Sequence, residues 1–399
     1  MNDIELFELG KKFENERNYT EAVKYYHEAA KLGNVDAQLS LGFCYDLGRG
    51  VEVNKKEAVK WYILSASKNN KYALVNLANI LYDVRDYEEA VKWYRKSADL
   101  GLDYAQYRMG LSYQFGRGVP KDDAEAAKWF RLAAEQGYVY AQSELGNYYR
   151  DILKDYSEAT KWFRKAAEKG DAGSQNNLAC CYNDGTGVAK DVIEATKWFK
   201  RAAEQNNLYA QFNLGLQYGN GRGVTKDYVE AAKWYRKAAE RGHVSAQVCL
   251  GNCYYEGEGV TKDYEEAVKW YRKAADKGNI VAQNNLANRY KRGEGVIRDT
   301  SEAFRLYKLS ADSGYELAQK NLLILCEAEG KWWDEAVKWY KKFAENGNAE
   351  YQYKLGLCYF DGKGVLKDRK TAKYWFKKAA DGGHQDARAK LSGLWALFC

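Results

Sequence analysis

Two helical patterns alternate along the chain. The first is clear in Ala210-Gln211-x-x-Leu214-Gly215-x-x-Tyr218, where apolar or small residues fall at i, i+4, i+5 and i+8. Those positions share one face of an α-helix. The glycine lies mid-helix, where it costs about 1 kcal/mol against alanine. It returns as Gly10, Gly42, Gly110, Gly146, Gly251 and Gly356, with Ala78, Ala179 and Ala287 in other repeats. Such a restriction to small residues predicts a neighbouring helix packed close to the backbone there.

The second pattern opens on an acid followed three residues later by glutamate. Examples are Asp191-x-x-Glu194, Asp227-x-x-Glu230, Asp263-x-x-Glu266 and Asp299-x-x-Glu302. This is a capping box, in which the Asp oxygen takes a free backbone N–H and the Glu reaches back to the cap. Aromatic residues and a small pair such as Ala238-Ala239 follow. The helix is expected to end at a glycine such as Gly170, Gly242 or Gly278.

Seven repeats join the two helices through Gly-x-Gly-Val: Gly48/Gly50, Gly116/Gly118, Gly185/Gly187, Gly221/Gly223, Gly257/Gly259, Gly293/Gly295 and Gly362/Gly364. No strand precedes these loops, and they recur. They therefore read as tight turns needing positive φ rather than as phosphate cradles. The first, third, fifth and tenth repeats lack the loop.

One alanine of the second helix marks every repeat: Ala22, Ala58, Ala90, Ala126, Ala159, Ala195, Ala231, Ala267, Ala303, Ala336 and Ala372. The step is 36 residues, falling to 32 or 33 where a loop is missing. The predicted boundaries are 2–33, 34–69, 70–101, 102–137, 138–170, 171–206, 207–242, 243–278, 279–314, 315–347 and 348–383, with 384–399 left as a C-terminal capping helix. One hairpin cannot bury its apolar stripe alone, so a fixed period of this size predicts a stacked array. The expected class is all-α. No linker or composition shift interrupts the series, so one continuous domain is expected.

The full pattern, Ala-x3-Leu-Gly-x2-Tyr-x2-Gly-x-Gly-Val-x3-Asp-x3-Ala-x2-Trp-x4-Ala-Ala-x2-Gly, resembles the Sel-one-like (SEL-like) repeat of the tetratricopeptide superfamily. The four short repeats are more similar to ordinary tetratricopeptide repeats. The resemblance covers nearly the whole chain. It implies a right-handed α-solenoid of about eleven helical hairpins that serves as an adaptor or scaffold between proteins. One branch of the family, secreted and cysteine-rich, bridges the helices of each repeat with paired cysteines and is ascribed β-lactam-hydrolysing activity. This chain departs from that branch, because Cys253 and Cys358 have no partner in their second helices.

Composition narrows the function. Aromatics make up 15% and exclude a disordered chain. No apolar run is long enough to span a bilayer, so no membrane insertion is expected. Lys and Arg total 62 against 55 Asp and Glu, and the net charge of +7 is too slight to imply nucleic acid by itself. Met1-Asn2-Asp3-Ile4-Glu5 carries acid where a Sec signal carries base. The cytoplasm is the expected compartment, with the eight cysteines reduced. Export of a host-directed effector by a non-Sec route is the alternative.

Candidate chemistry is thin. His27, His243 and His384 lie in distant repeats, and no spacing outlines a nucleophile with its base. Neither catalysis, a cofactor nor a small-molecule substrate is expected. His243-x5-Cys249-x3-Cys253 lacks a fourth zinc ligand, so no metal is expected. Cys44, Cys181, Cys253 and Cys358 share one repeat position and are expected to be buried small hydrophobes. A ladder of Lys24, Lys60, Lys92, Lys128, Lys161, Lys197, Lys233, Lys269 and Lys338 lies just before the second helix's aromatic. It supports an alternative function as a nucleic-acid or anionic-surface binder. Glu57/Lys60 and Glu89/Lys92 are instead i,i+3 pairs of a solvated face, and nucleic acid is the weaker reading.

Asparagine is the sharpest signal. In related tetratricopeptide arrays the first helices line the concave groove, and Asn there binds peptide backbone. The matching positions are one after the Gly/Ala (Asn79, Asn147, Asn252, Asn288) and one before the leucine (Asn76, Asn177, Asn213, Asn285, Asn321). Asn147/Asn177, Asn252/Asn285 and Asn288/Asn321 straddle adjacent repeats, and Arg108 follows Asn79 at the same place. An amide offers donor and acceptor together, so this ladder is expected to hold an extended peptide or partner segment. At the C-terminus Leu394, Trp395, Leu397 and Phe398 do not fit one capping face. They are expected to meet a partner or a second copy of the chain.

Overall fold

The computed structural model describes residues 1–395, with side chains described through Ser392. Twenty-three α-helices run from Asp3–Asn15 to Gln385–Trp395, and no strand occurs among the described residues. They form eleven antiparallel hairpins and a final single helix, so the all-α hairpin array predicted from the pattern is the fold. The chain divides into two compact units, Met1–Ala210 and Gln211–Cys399. The first holds six hairpins. The second begins inside the helix Leu208–Asn220 and carries the remainder.

Ten of the eleven hairpins close on a small residue of the first helix, and the tenth has Leu323 there. A Cβ at Gly42, Gly146, Gly215 or Gly356 would stand 2.6 Å from the ring of Tyr62, Phe163, Tyr235 or Phe376. These rings are among the most buried side chains of the chain. Removing the Cβ lets the ring lie flat on the helix, and the dispersion gained over a whole aromatic face offsets glycine's poor helix propensity.

Successive hairpins are joined by a buried amide. Gln38, Gln106, Gln142, Gln175, Gln247, Gln283, Gln319 and Gln352 each donate Nε2 to the carbonyl of an alanine in the last turn of the preceding second helix, at 3.0–3.5 Å. Helix C-termini leave carbonyls without partners, and a buried one must be satisfied from outside the helix. This glutamine, which follows a first-helix alanine in six of the eight (Ser174 and Tyr351 precede the other two), therefore ties one repeat to the one before it.

The loop glycines have two separate duties. The first of each pair ends the first helix in the left-handed region, as at Gly185 (φ 75°) and Gly257 (φ 79°). The second also has positive φ, and it presses on the start of the preceding second helix. A Cβ on Gly50, Gly118, Gly187, Gly259 or Gly295 would overlap the carbonyl of Tyr19, Tyr87, Tyr156, Tyr228 or Tyr264. Repeats without the loop turn through one non-glycine residue at positive φ: Arg17, Arg85, Lys154 or Trp332. In the fifth repeat the first helix also widens into a π-turn, Tyr149–Leu153.

The capping boxes are half made. Asp191, Asp227 and Asp299 accept from two backbone N–H groups, and Asp263 from one. The glutamates turn the other way. Glu57, Glu89, Glu158, Glu194, Glu230 and Glu266 pair with the lysine three residues on. A full reciprocal box forms at Asn2/Glu5 in the first helix. A nearby cation outcompetes a backbone N–H for the carboxylate because both partners of that bond are charged.

Gly259 and Gly278 separate the two costs of replacing a loop glycine. Gly278 (φ 80°) has open space where a Cβ would go, so Gly278→Ala is expected to cost only the left-handed backbone penalty, about 1 kcal/mol. Gly259→Ala adds the overlap with Tyr228 and is expected to cost about 1–3 kcal/mol more. Urea denaturation of the two variants measures the difference, and equal midpoints would refute the account of the second loop glycine.

Candidate protein-interaction face of the first helices

The asparagines lie where the first helices of neighbouring hairpins run side by side. Behind them stand the tyrosines of the second helices. The hydroxyl of Tyr94 donates to Asn79 Oδ1 at 2.6 Å, Tyr271 to Asn252 Oδ1 at 2.7 Å and Tyr307 to Asn288 Oδ1 at 2.8 Å. The rings are buried, so each hydroxyl needs an acceptor and the carboxamide oxygen supplies it. Burial pushes these phenols far above the ordinary tyrosine range, so they stay protonated donors.

Contacts between adjacent first helices complete the row. Asn177 Nδ2 reaches Asn147 Oδ1 at 3.5 Å, and Asn285 Nδ2 reaches Asn252 Oδ1 at 3.4 Å. Both are long for hydrogen bonds. Arg108 Nη1 donates to Asn79 Oδ1 at 3.2 Å and to the Tyr104 hydroxyl at 2.8 Å. The structure thus brings together three of the four expected pairs. In the fourth, both amides turn to Asn284: Asn321 Nδ2 donates to Asn284 Oδ1 at 2.8 Å, and Asn288 Nδ2 to the Asn284 carbonyl at 3.1 Å. Asn284 is buried one place before Asn285 and wins because its oxygen would otherwise lack a partner. Asn76 lies against the Tyr62 hydroxyl, and Asn213 is half-buried on Leu208–Asn220.

The arrangement changes what the row offers. The Oδ1 of Asn252 is held by Tyr271 and Asn285 and that of Asn147 by Asn177 alone, and neither residue's amide nitrogen makes a hydrogen bond among the described residues. The face therefore presents donors suited to carbonyl oxygens. Clefts open beside the two residues. One of about 140 Å³ is lined by Asn147, Phe130, Gln114 and Glu144, and one of about 250 Å³ by Asn252, Tyr235, Cys249 and Glu258. A third, of about 230 Å³, has Leu357 in place of the asparagine, with Glu327, Lys354 and Tyr340 around it. All three sit in the same register, floored by the second-helix aromatic.

The tyrosine partners are legible only by comparing repeats. Asn79, Asn252 and Asn288 go with Tyr94, Tyr271 and Tyr307, whereas Asn147 goes with Phe163 and has no hydroxyl behind it. Tyrosine alone does not mark the pair, because Tyr26, Tyr62, Tyr235 and Tyr340 go with Lys11, Phe43, Leu216 and Ile324.

The basic face is largely self-satisfied. Lys24, Lys60, Lys92, Lys128, Lys161, Lys197, Lys233, Lys269 and Lys338 each pair with the glutamate one turn before. Arg236 and Arg272 donate to the hydroxyls of Tyr254 and Tyr290 in the next repeat, at 2.7 and 2.6 Å. The cysteines of the shared position, Cys44, Cys181, Cys253 and Cys358, are buried free thiols. Burial pushes Cys44 and Cys253 up to about 12 and Cys358 up to about 11. His243 caps its helix, with Nδ1 accepting from Ala246 N–H, and stacks on Phe212. The side chains of Leu394, Trp395, Leu397 and Phe398 lie outside the described residues.

Known proteins share this design. Ten stretches from 7–34 to 349–384 match the Sel1 repeat, and residues 72–101 match a tetratricopeptide repeat. A protective antigen of uropathogenic Escherichia coli strains, displaying an SLR fold, is 34% identical over 93% of this chain and 82% of its own, with a TM-score of 0.78. A Sel1 repeat protein from Oxalobacter formigenes is 29% identical over 76% of this chain and 89% of its own, with a TM-score of 0.59. Two further relatives match over short stretches. A sel1-like repeat-containing protein of Acanthamoeba polyphaga mimivirus is 38% identical over 14% of this chain, and DAP3-binding cell death enhancer 1 of Rattus norvegicus is 40% identical over 18%. The chain spans only 11% and 14% of those two proteins' own length. Repeat spacing, hairpin closure and these matches lead to one conclusion: the chain belongs to the Sel1 repeat family, with a tetratricopeptide repeat as its third hairpin.

Proposed function

We propose that this protein is a non-catalytic adaptor that holds an extended segment of a partner protein along its first helices. The observation that carries this reading is the pinned asparagine. Asn252 has its oxygen fixed by Tyr271 and its amide directed to the open face beside a cleft. A preorganised donor loses little freedom on binding, which is the main cost of polar recognition. The working compartment on this reading is the cytoplasm, and homodimerisation through the C-terminal residues is a separate proposal.

The nucleic-acid alternative is the weaker one, because the lysine ladder is ion-paired along its length. A β-lactam hydrolase would need a nucleophile with an activated base, and the shared-position thiols are held protonated by burial.

Asn252 and Asn288 make the test sharp. Each is the acceptor for a buried tyrosine, so Asn252→Ala and Asn288→Ala are both expected to lower stability by about 1–3 kcal/mol. Only Asn252 has an amide left for a ligand. Affinity for the partner that co-purifies with the full-length protein should therefore fall about fivefold in Asn252→Ala, as for one lost neutral hydrogen bond, and stay unchanged in Asn288→Ala. Equal affinity in both variants and the parent would overturn the groove mechanism.

The outer face gives a second test. Lys128→Glu with Lys161→Glu is expected to leave partner binding unaltered, with little change in affinity between 50 and 200 mM salt. A phosphate-binding surface would instead lose orders of magnitude over that range.

A further inference from the structure

One stretch of the first-helix face in the Met1–Ala210 unit differs in kind from the rest. In three consecutive repeats a tyrosine precedes the first-helix alanine (Ala73, Ala105, Ala141): Tyr72, Tyr104 and Tyr140. Tyr72 and Tyr140 are 52% and 58% exposed. Tyr107 and Tyr138 fill the space between the last two, with ring centroids 5.1 Å apart, and Tyr138 lies 5.8 Å from Tyr140 and 6.3 Å from Tyr104. Such a surface is large, rigid and amphipathic, and it costs little side-chain entropy to order on binding.

Arg108 stands at the edge of this platform. Its guanidinium lies 4.4 Å from the Tyr82 ring centroid and 4.7 Å from that of Tyr94. Its Nη1 is bonded to Asn79 and Tyr104, while Nε and Nη2 make no hydrogen bond and no carboxylate pairs with it among the described residues. A half-buried cation held by neutral groups leaves its charge uncompensated, and an anion would complete it.

Aromatic-lined faces are a recurrent dock for polyproline II segments, because that helix arrives preformed and has little freedom left to lose on binding.

From this we infer that Tyr72, Tyr104 and Tyr140 form a binding platform for a proline-rich segment in the polyproline II conformation, with an acidic residue of that segment paired to Arg108. The inference deepens the adaptor reading and rests on it: it assigns a ligand chemistry to one end of the first-helix face. Proline rings lie on the tyrosine faces, the exposed Tyr72 and Tyr140 hydroxyls donate to the ligand's carbonyls while that of Tyr104 stays with Asn79 and Arg108, and the carboxylate takes the Nε and Nη2 side of the guanidinium. Burial pushes Tyr107 and Tyr138 up to about 12, so their hydroxyls remain donors at neutral pH.

The test uses fluorescence anisotropy with the full-length protein and three labelled twelve-residue probes: a proline-rich peptide with one central aspartate, the same peptide with asparagine for that aspartate, and the aspartate peptide with every proline replaced by glycine. The first should bind at least tenfold more tightly than the glycine peptide. Tyr72→Ser with Tyr140→Ser, both at exposed positions, should abolish that preference with an unchanged helical circular-dichroism spectrum. Arg108→Gln should weaken the aspartate peptide about tenfold and leave the asparagine peptide unaffected. Equal binding of the proline and glycine peptides, no binding of either, or an equal effect of Arg108→Gln on the aspartate and asparagine probes overturns the inference. Those outcomes leave the adaptor reading to its own test, in which affinity for the co-purified partner falls in Asn252→Ala and is unchanged in Asn288→Ala.

Discussion

Everything in this molecule follows from how closely the two helices of a hairpin approach. A small residue in the middle of the first helix lets an aromatic ring of the second lie flat on its backbone, as Tyr235 does on Gly215. Two helices that touch at backbone level have little freedom to slide. The ring's position then determines where its hydroxyl emerges: those of Tyr94, Tyr271 and Tyr307 meet the asparagine one place beyond the small residue, and those of Tyr26 and Tyr340 meet Glu14 and Glu327. The candidate binding face is thus an outgrowth of hairpin closure. The asparagine is oriented by the same contact that forms the core.

Propagation from hairpin to hairpin uses different chemistry. The apolar faces supply the driving force, but apolar contact alone leaves register loose. Register comes from directional groups: the buried glutamine that finds an alanine carbonyl of the preceding second helix, and the second loop glycine that seats on that helix's first residue. Arginines of the second helices add a third tie by reaching tyrosine hydroxyls in the next repeat. These arginines and the glutamate-paired lysines show how a chain of net charge +7 can carry a long basic row with little free charge on it.

The fold was legible because its determinants are local and repeated. Small residues at fixed offsets, a cap, and a glycine loop each act within one hairpin, and eleven copies average out the exceptions. The candidate site was legible in position but not in orientation. Asn79, Asn252 and Asn288 were found as residues, yet which of their atoms faces outward depends on a tyrosine fifteen or nineteen residues away. The pairing of Asn321 with Asn284 rather than Asn288 turned on burial of one amide, which spacing does not encode. The capping glutamates misled for a related reason. The box motif names the cap N–H for the carboxylate and the i,i+3 spacing names a lysine, and in the folded helix the lysine takes it.

The shared-position thiols have a consequence for how such an array breathes. Cys44, Cys181, Cys253 and Cys358 are buried at equivalent places in four different hairpins. A thiol with its proton held by burial reacts only when its own repeat opens. Arrays of this kind open locally, and the free energy of opening varies along their length. The chain therefore carries its own set of position-specific clocks: the order in which these four sulfurs become chemically accessible is the order in which the hairpins around them come apart.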